Sequence, residues 1–318
     1  MKLIVQIPCL NEEHTLTQTV KDIPRNIPGV DMVEILVVDD GSTDNTIAIA
    51  RSLGVDHIIE NKRNIGLARS FRRGLDACLK NGADIIVNTD GDNQYAGQDI
   101  PKLIAPILSG TADLVVGDRG TSKLEAFSPL KRVLQYMGST VVRNLSGVDV
   151  PDAVSGFRAI SREGALRINI VSSFSYTTEM LIQAGKKHMA VASVPIGTNE
   201  KTRESRLFKG TLEFILRQVT TIIRMYAMYQ PLRVFFWIGT VLSVVGLVPI
   251  VRFLWVYLTY GEAGFIQSVV LGGVLMLMGF FAFLIGLVAD LINFNRQLIE
   301  IGLEKTREME LSAYSDEE

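Results

Sequence analysis

The sequence predicts a mostly parallel α/β sheet domain followed by two membrane-spanning helices, and three observations carry that prediction. Short apolar runs alternate with helical segments from Met1 to about Gln230, acidic clusters follow those runs, and two long uncharged apolar stretches lie between Pro231 and about Asn293. The 318 residues carry 32 Lys and Arg against 34 Asp and Glu, a near-neutral balance that joins a polar portion to a very apolar one.

Leu3 to Ile7, Ile35 to Val38, His57 to Glu60, Ile85 to Asn88 and Leu114 to Val116 read as strands. Glu13 to Ile23, Asp44 to Leu53, Gly66 to Lys80 and Asp99 to Leu108 read as the helices between them. This rhythm builds a sheet whose ligands collect at the carboxyl ends of its strands. The first strand ends at Pro8-Cys9-Leu10-Asn11-Glu12-Glu13, the second at Asp39-Asp40-Gly41-Ser42-Thr43-Asp44, and the fourth at Asp90-Gly91-Asp92-Asn93-Gln94. Three acidic turns therefore share one edge. Grouped carboxylates repel each other, and a sheet that groups them has cations or sugar hydroxyls to offset the repulsion.

Asp90-Gly91-Asp92 carries the most chemistry. Two carboxylates flanking a glycine on a tight turn aim their oxygens at one hard divalent cation, and the glycine lets a diphosphate approach the backbone. Asp39 and Asp44 also suit capping of the turn and helix that follow them. Arg119, Arg132, Arg143 and Arg158 read either as phosphate-holding groups or as partners of surface acids, with Arg119, just after a strand, favouring function; Phe157 and Phe174 read as core. The first turn lacks G-x-G-x-x-G, which argues against a dinucleotide-dependent dehydrogenase.

Only Cys9 and Cys78 occur, too few for a disulfide framework, and no apolar segment precedes the first strand. A cytosolic location is expected for the polar portion. His14, His57 and His188 lie far apart without zinc-ligand spacing, and nothing points to nucleic acid.

Val234 to Val251 and Phe265 to Ala289 contain no Asp, Glu, Lys or Arg. With their flanks each reaches the ~20 apolar residues that cross a ~30 Å hydrocarbon core. Lys201, Arg203, Arg206, Lys209, Arg217, Arg224 and Arg233 precede the first, Arg296, Lys305 and Arg307 follow the second, and the connection has none. Both termini are thus expected in the cytoplasm of a multi-pass protein of the inner membrane. Arg252 snorkels beside an aromatic belt of Trp255, Tyr257 and Tyr260. The domains expected are 1–206 catalytic, 207–230 an amphipathic juxtamembrane helix that lies at the bilayer interface or packs onto the soluble domain, the interface being favoured, 231–293 the two spans, and 294–318 a charged tail frayed from Ser312. Gly239, Gly246, Gly272, Gly273, Gly279 and Gly286 along the spans suit packing against copies of the chain, so a homo-oligomer is expected.

At its turns the sequence resembles the inverting glycosyltransferases of family 2, and within them the polyprenyl-phosphate glycosyltransferases, such as the dolichyl-phosphate mannose synthases and bactoprenol glucosyltransferases. The matching pieces run in order: Ile7 to Glu12, Val37 to Asp44, Asn64-Ile65-Gly66-Leu67, Asp90 to Gln94, Val116-Gly117-Asp118-Arg119 and Asp152 to Arg158. The resemblance implies a GT-A fold and a nucleotide-sugar donor. By it, Pro8, Leu10, Glu12, Val38 and Asp40 border the base and ribose. Asp90, Gly91, Asp92 and Gln94 match the metal and diphosphate positions, with Mg²⁺ or Mn²⁺ as cofactor, and Arg119 and Arg132 match basic positions near the transferred sugar and the acceptor phosphate. Ser205 and Arg206 close over the phosphates, although Arg203 replaces a glycine, Arg206 a lysine, and Glu200 stands where arginine is common. Asp152 either orients the attacking group, contacts the sugar, or is structural beside Ser155 and Arg158.

The implied reaction moves a hexose, glucose from UDP-glucose first among candidates, onto polyprenyl phosphate, with GDP-mannose or a UDP-aminosugar as alternative donors; a tetramer is implied for the assembly. Such an acceptor is already anionic at neutral pH, so positioning and charge neutralisation dominate over base catalysis. A processive polysaccharide synthase is disfavoured, since Q-x-x-R-W is missing and only two spans are present. A membrane-tethered sugar-nucleotide sensor is the alternative from another class.

Overall fold

A computed structural model describes residues 1–120, 140–170, 176–199, 220, 223–224, 227–261 and 266–315. The chain divides into two compact units, Met1–Phe214 with Glu304–Glu318, and Ile215–Leu303.

The first unit is built on seven strands: β1 (Lys2–Cys9), β2 (Met32–Asp39), β3 (His57–Glu60), β4 (Ile85–Asn88), β5 (Leu114–Asp118), β6 (Arg158–Ser161) and β7 (Val191–Pro195). Their order is β3-β2-β1-β4-β6-β5-β7. Every pairing is parallel except those of β6 with β4 and β5. The five expected strands and the mostly parallel α/β class are present. Strands β6 and β7 were not readable as periodic runs: β6 has four residues and begins with a charge, and β7 is half-buried and closes on a proline.

Helices α1 (Leu16–Asp22), α2 (Thr46–Ser52), α3 (Leu67–Lys80) and α4 (Ile100–Leu108) connect the parallel strands, and α5 (Arg162–Arg167) and α6 (Tyr176–Lys186) follow β6. Alternation along β1 sends Leu3, Val5 and Ile7 into a core with Leu16, Val20, Ile100, Leu103 and Ile104 of α1 and α4. Gln6, fully buried, turns to the α3 face and donates to Asn88 Oδ1 (3.0 Å). In register, Cys9 lies opposite Asp39 and Gln6 opposite Asn88, so β1, β2 and β4 end at one edge and deliver their acidic turns together.

The second unit holds α7 (Pro231–Tyr260) and most of α8 (Ile266–Ser315). Both are long and apolar enough to cross a membrane. Their apolar side chains are largely uncovered by the chain, Trp255 being 70% and Leu258 81% exposed, which is unlike the core helix of a water-soluble domain. Helix α7 stops at Gly261, whose φ of 69° only glycine adopts without strain. Helix α8 continues unbroken to Ser315, so the segment expected to fray from Ser312 is helical that far. Glu304 faces Arg167 (3.8 Å) and Lys187 (3.9 Å), and Arg307 reaches Asp76 of α3 (3.2 Å) and the Ile168 carbonyl (3.0 Å).

Five of the six glycines of the spans lie close to the other helix of the same chain. A Cβ on Gly239 would come 2.9 Å from the Gly279 carbonyl, one on Gly246 2.8 Å from that of Gly272, and one on Gly286 2.8 Å from Phe235 Cβ. These glycines therefore let α7 and α8 of one chain approach each other, and only Gly273 of the six faces open space. Most of the expected interface helix over 207–230 falls outside the described residues.

Candidate active site

The first two acidic turns are laced together. Asn11 donates its backbone N–H to Ser42 Oγ (2.9 Å) and accepts from the Thr43 N–H (2.9 Å), while Glu12 N–H donates to Thr46 Oγ1 (2.8 Å). Asp39 accepts from the N–H groups of Gly41 and Ser42 (both 3.0 Å), and Asp44 from those of Thr46 (3.0 Å) and Glu13 (3.2 Å), so both serve as the caps their positions allowed. At Gly41, with φ of 77°, a Cβ would lie 2.6 Å from the backbone of Arg63, which excludes any other residue. Asp40 accepts from Asn61 Nδ2 (3.0 Å) and from the N–H groups of Ile65 (2.9 Å) and Gly66 (3.0 Å), holding the loop that opens α3.

The third turn is packed from below. A Cβ on Gly91 would stand 3.0 Å from Cys9 Sγ and 3.1 Å from Glu12 Cγ, so the backbone there sits as low as it can. The Gly91 carbonyl accepts from the hydroxyls of Thr15 (2.8 Å) and Thr19 (3.2 Å), and Thr15 also reaches Glu12 Oε2 (2.9 Å). Gln94 N–H donates to Asp92 Oδ1 (3.2 Å). Asp90, Asp92 and Gln94 all stay partly open to solvent. Close surroundings push the Asp90 carboxyl up to about 7, with the Asp92 charge and then Glu12 adding to the effect of burial and Arg119 opposing it.

Among the described residues no group of three or more His, Cys, Asp or Glu is arranged to hold an ion. Mg²⁺-like ions, however, are commonly held by one or two carboxylates together with a substrate's phosphates. Burial raises Asp90 most and the Asp92 charge adds to it; a cation there would offset both, so the pair fits an ion that arrives with a diphosphate.

Arg119 follows β5 and is gripped by Asp152 through Nε (2.7 Å) and Nη2 (3.0 Å), a bidentate pair in which the carboxylate is fully buried and the arginine is 23% exposed. Asp152 thus turns both oxygens to Arg119. Although burial opposes it, this hydrogen bonding raises the guanidinium pKa and keeps the cation. Its head lies 6.0 Å from the centre of the Tyr95 ring. Tyr95 Oη accepts from Gly156 N–H (2.9 Å), and Gly156 leaves room for the Asp90 carboxylate, which a Cβ would approach to 3.0 Å.

Some expected contributors take other places. Val38 is fully buried, its side chain turned by strand alternation to the sheet face that packs against Gly74 of α3. Pro8 is buried opposite it in the sheet and Leu10 is half-buried at the strand exit. Among the described residues Arg158 pairs with no surface acid. It is 1% exposed and donates to the carbonyls of Ser155 (2.8 Å), Ala153 (2.7 Å) and Thr177, with burial pushing its pKa down to about 10. Arg143 does make an exposed pair, with Asp149 (3.3 Å), and Phe157 is core. Arg132, Phe174, Ser205 and Arg206 lie outside the described residues. Sequence reading missed Thr15, Tyr95 and Tyr176; Tyr176 stacks on Phe71 (4.1 Å) and its hydroxyl meets Asn88 Nδ2 (3.1 Å). A threonine pair four apart at the start of α1 was the one available signal.

Residues 4–168, just over half of the chain, match the family model described as Glycosyl transferase family 2. The chain belongs to that family and is a glycosyltransferase. It is 31% identical over 214 residues to the UDP-N-acetylglucosamine–dolichyl-phosphate N-acetylglucosaminyltransferase of Methanococcus voltae, covering 60% of this chain and 83% of that one. It is 30% identical over 213 residues to the polyprenol monophosphomannose synthase of Mycolicibacterium smegmatis, covering 63% and 78%. With the dolichol-phosphate mannosyltransferase of Pyrococcus furiosus the identity is 30% over 280 residues, covering 82% and 74%. Among solved structures, the glucosyl-3-phosphoglycerate synthase of Mycobacterium tuberculosis, in complex with Mn²⁺, UDP-glucose and glycerol 3-phosphate, superposes with a TM-score of 0.52 at 25% identity, over 71% of this chain and 79% of that one. Taking a sugar from a nucleotide-sugar donor is the reaction of this family.

Proposed function

We propose that the protein transfers a hexose from a nucleoside-diphosphate sugar to polyprenyl phosphate with inversion at the anomeric carbon. The observation that carries this reading is the fixed cation Arg119, held by buried Asp152 beside the acidic turn Asp90-Gly91-Asp92, in a chain that also has two apolar helices long enough to cross a bilayer. Relatives that act on dolichyl or polyprenyl phosphate support the acceptor.

In this reading one acceptor phosphate oxygen attacks the anomeric carbon as the bond to the diphosphate oxygen breaks, and the nucleoside diphosphate leaves. No proton has to be removed from the attacking oxygen. A Mg²⁺ or Mn²⁺ ion bound with the diphosphate would neutralise the charge of the leaving group, and Asp90 and Asp92, with Gln94 beside them, are the residues that would hold it. Gly91 keeps the backbone low beneath the diphosphate. Arg119 offers a phosphate the guanidinium edge that Asp152 does not take, with Asp152 as its positioning residue. Glu12 and Asp40 shape the nucleotide end, and Arg132, Ser205 and Arg206 are the basic and hydroxyl groups assigned to acceptor and diphosphate by the family's pattern. The site faces the cytoplasm in this reading, with both termini on that side.

Glucose from UDP-glucose is the first donor to test. The named relatives use or transfer different sugars, so GDP-mannose and UDP-aminosugars belong in the same screen. Detergent-solubilised protein incubated with each radiolabelled donor, a polyprenyl phosphate and Mn²⁺ should move label into the organic phase with one of them. Label that stays aqueous with every donor would leave a sugar-nucleotide sensor as the better description.

A further inference from the structure

After Asp92 the acidic turn continues through Asn93, whose φ of 57° is left-handed, to Gln94 and Tyr95. Three successive carbonyls in this stretch are taken by one residue. Asn199, four residues beyond β7, donates its backbone N–H to the Gln94 carbonyl (2.9 Å) and its side-chain amide to those of Asn93 (3.0 Å) and Tyr95 (3.4 Å). Facing two carbonyls, the amide must present its NH₂ group, since its oxygen would be repelled. Neighbouring ties join the same two segments: Ala96 N–H donates to the Gly197 carbonyl (3.5 Å), and Gly197 N–H donates to Asp99 (2.6 Å).

We infer that Asn199 is a positioning residue for the acidic turn, setting where Asp92 and Gln94 stand when a divalent ion and a nucleoside diphosphate bind. This rests on the function proposed above. Carbonyl oxygens left unpaired beside Asp90 and Asp92 would add to the negative potential and free the turn to rotate away from the ion. Thr15 and Thr19 hold the turn at Gly91 on one side, and Asn199 holds it from Asn93 to Tyr95 on the other. Asn199 acts on the ion through the turn's backbone.

The test measures Mn²⁺ binding to the full-length chain in detergent by electron paramagnetic resonance, with UDP and separately with GDP, alongside thermal melting. Asn199→Ala and Asn199→Asp both remove the side-chain donors, and roughly 3- to 10-fold weaker half-saturation by Mn²⁺ is expected for each. Asn199→Ser, which keeps one donor, should fall between them and the unmodified chain, and it decides the matter if Asn199→Asp fails to fold. Ile104→Val in the core of α4 should lower the melting temperature without moving Mn²⁺ binding. Variants that melt earlier yet bind Mn²⁺ as tightly as the unmodified chain would overturn the inference, as would an equal shift in Ile104→Val. If the unmodified chain shows no nucleotide-dependent Mn²⁺ binding at all, the functional reading itself falls and this inference with it.

Discussion

The α/β unit and the helix pair solve burial in opposite ways. In the first, apolar side chains such as Leu3, Ile35 and Leu103 are withdrawn completely, and buried charges such as Arg158 and Asp152 are matched donor to acceptor. In the second, the backbones meet through Gly239, Gly246, Gly272 and Gly279 while Trp255, Leu258 and most other large residues point away from the chain. Water drives the first arrangement. For the second, lipid tails cover the outward residues at no cost, and close backbone packing holds the pair together. The same residue type is therefore worth a great deal in one region and little in the other.

The sharpest break between the regions should come at the acidic turn. Asp92→Ala is expected to lower sugar transfer by about 10²–10³-fold or more while the melting temperature stays put. Near-normal turnover would remove Asp92 from the ion's shell. Next, Leu103→Ala should cost about 2–5 kcal/mol of stability in denaturant unfolding, whereas Leu258→Ala should stay within about 0.5 kcal/mol. Equal costs would mean that α7 is buried against protein after all. Gly246→Leu comes third, forcing about 1–3 kcal/mol of overpacking into the α7–α8 seam. Limited proteolysis should then cut the helix pair sooner with the α/β unit unaffected; an unchanged digestion pattern would place that seam elsewhere.

The smallest effect should be a pH dependence confined to the α/β unit. The folded protein holds Asp90 protonated up to about 7, while the unfolded chain releases the proton near the ordinary carboxylate value of about 3.9. Stability from this group is therefore complete below about pH 4 and fades as pH rises toward 7. Because Asp90 keeps some contact with solvent, the expected fall in melting temperature without divalent ions is only about 2–4 °C. Mn²⁺ with nucleotide should reverse it, and a metal-free melting temperature that climbs over that range would contradict the assigned environment.

Much of the site was legible before any coordinates, because turns that follow parallel strands must gather at one edge. Asp90, Asp92 and Arg119 of the candidate site follow strands and were singled out on that ground. Pattern alone showed neither the pairing of Asp152 with Arg119 nor the packing of Val38 on α3. Asp152 acts across 33 residues of sequence on Arg119, a partnership that no local spacing encodes. Val38 sits in a motif, yet strand parity turns it toward α3.

Local chemistry along the chain was enough to determine the parallel sheet, its acidic edge, and the two apolar helices, since each depends on hydrophobic period, turn residues and length. Long-range geometry decided the rest: the antiparallel insertion of β6, the grip of Asp152 on Arg119, the hold of Asn199 on the acidic turn, and the pairing of glycines within one chain. Those features join residues distant in sequence, and their energies exist only once the sheet and the helix pair have brought the partners within hydrogen-bond or van der Waals reach.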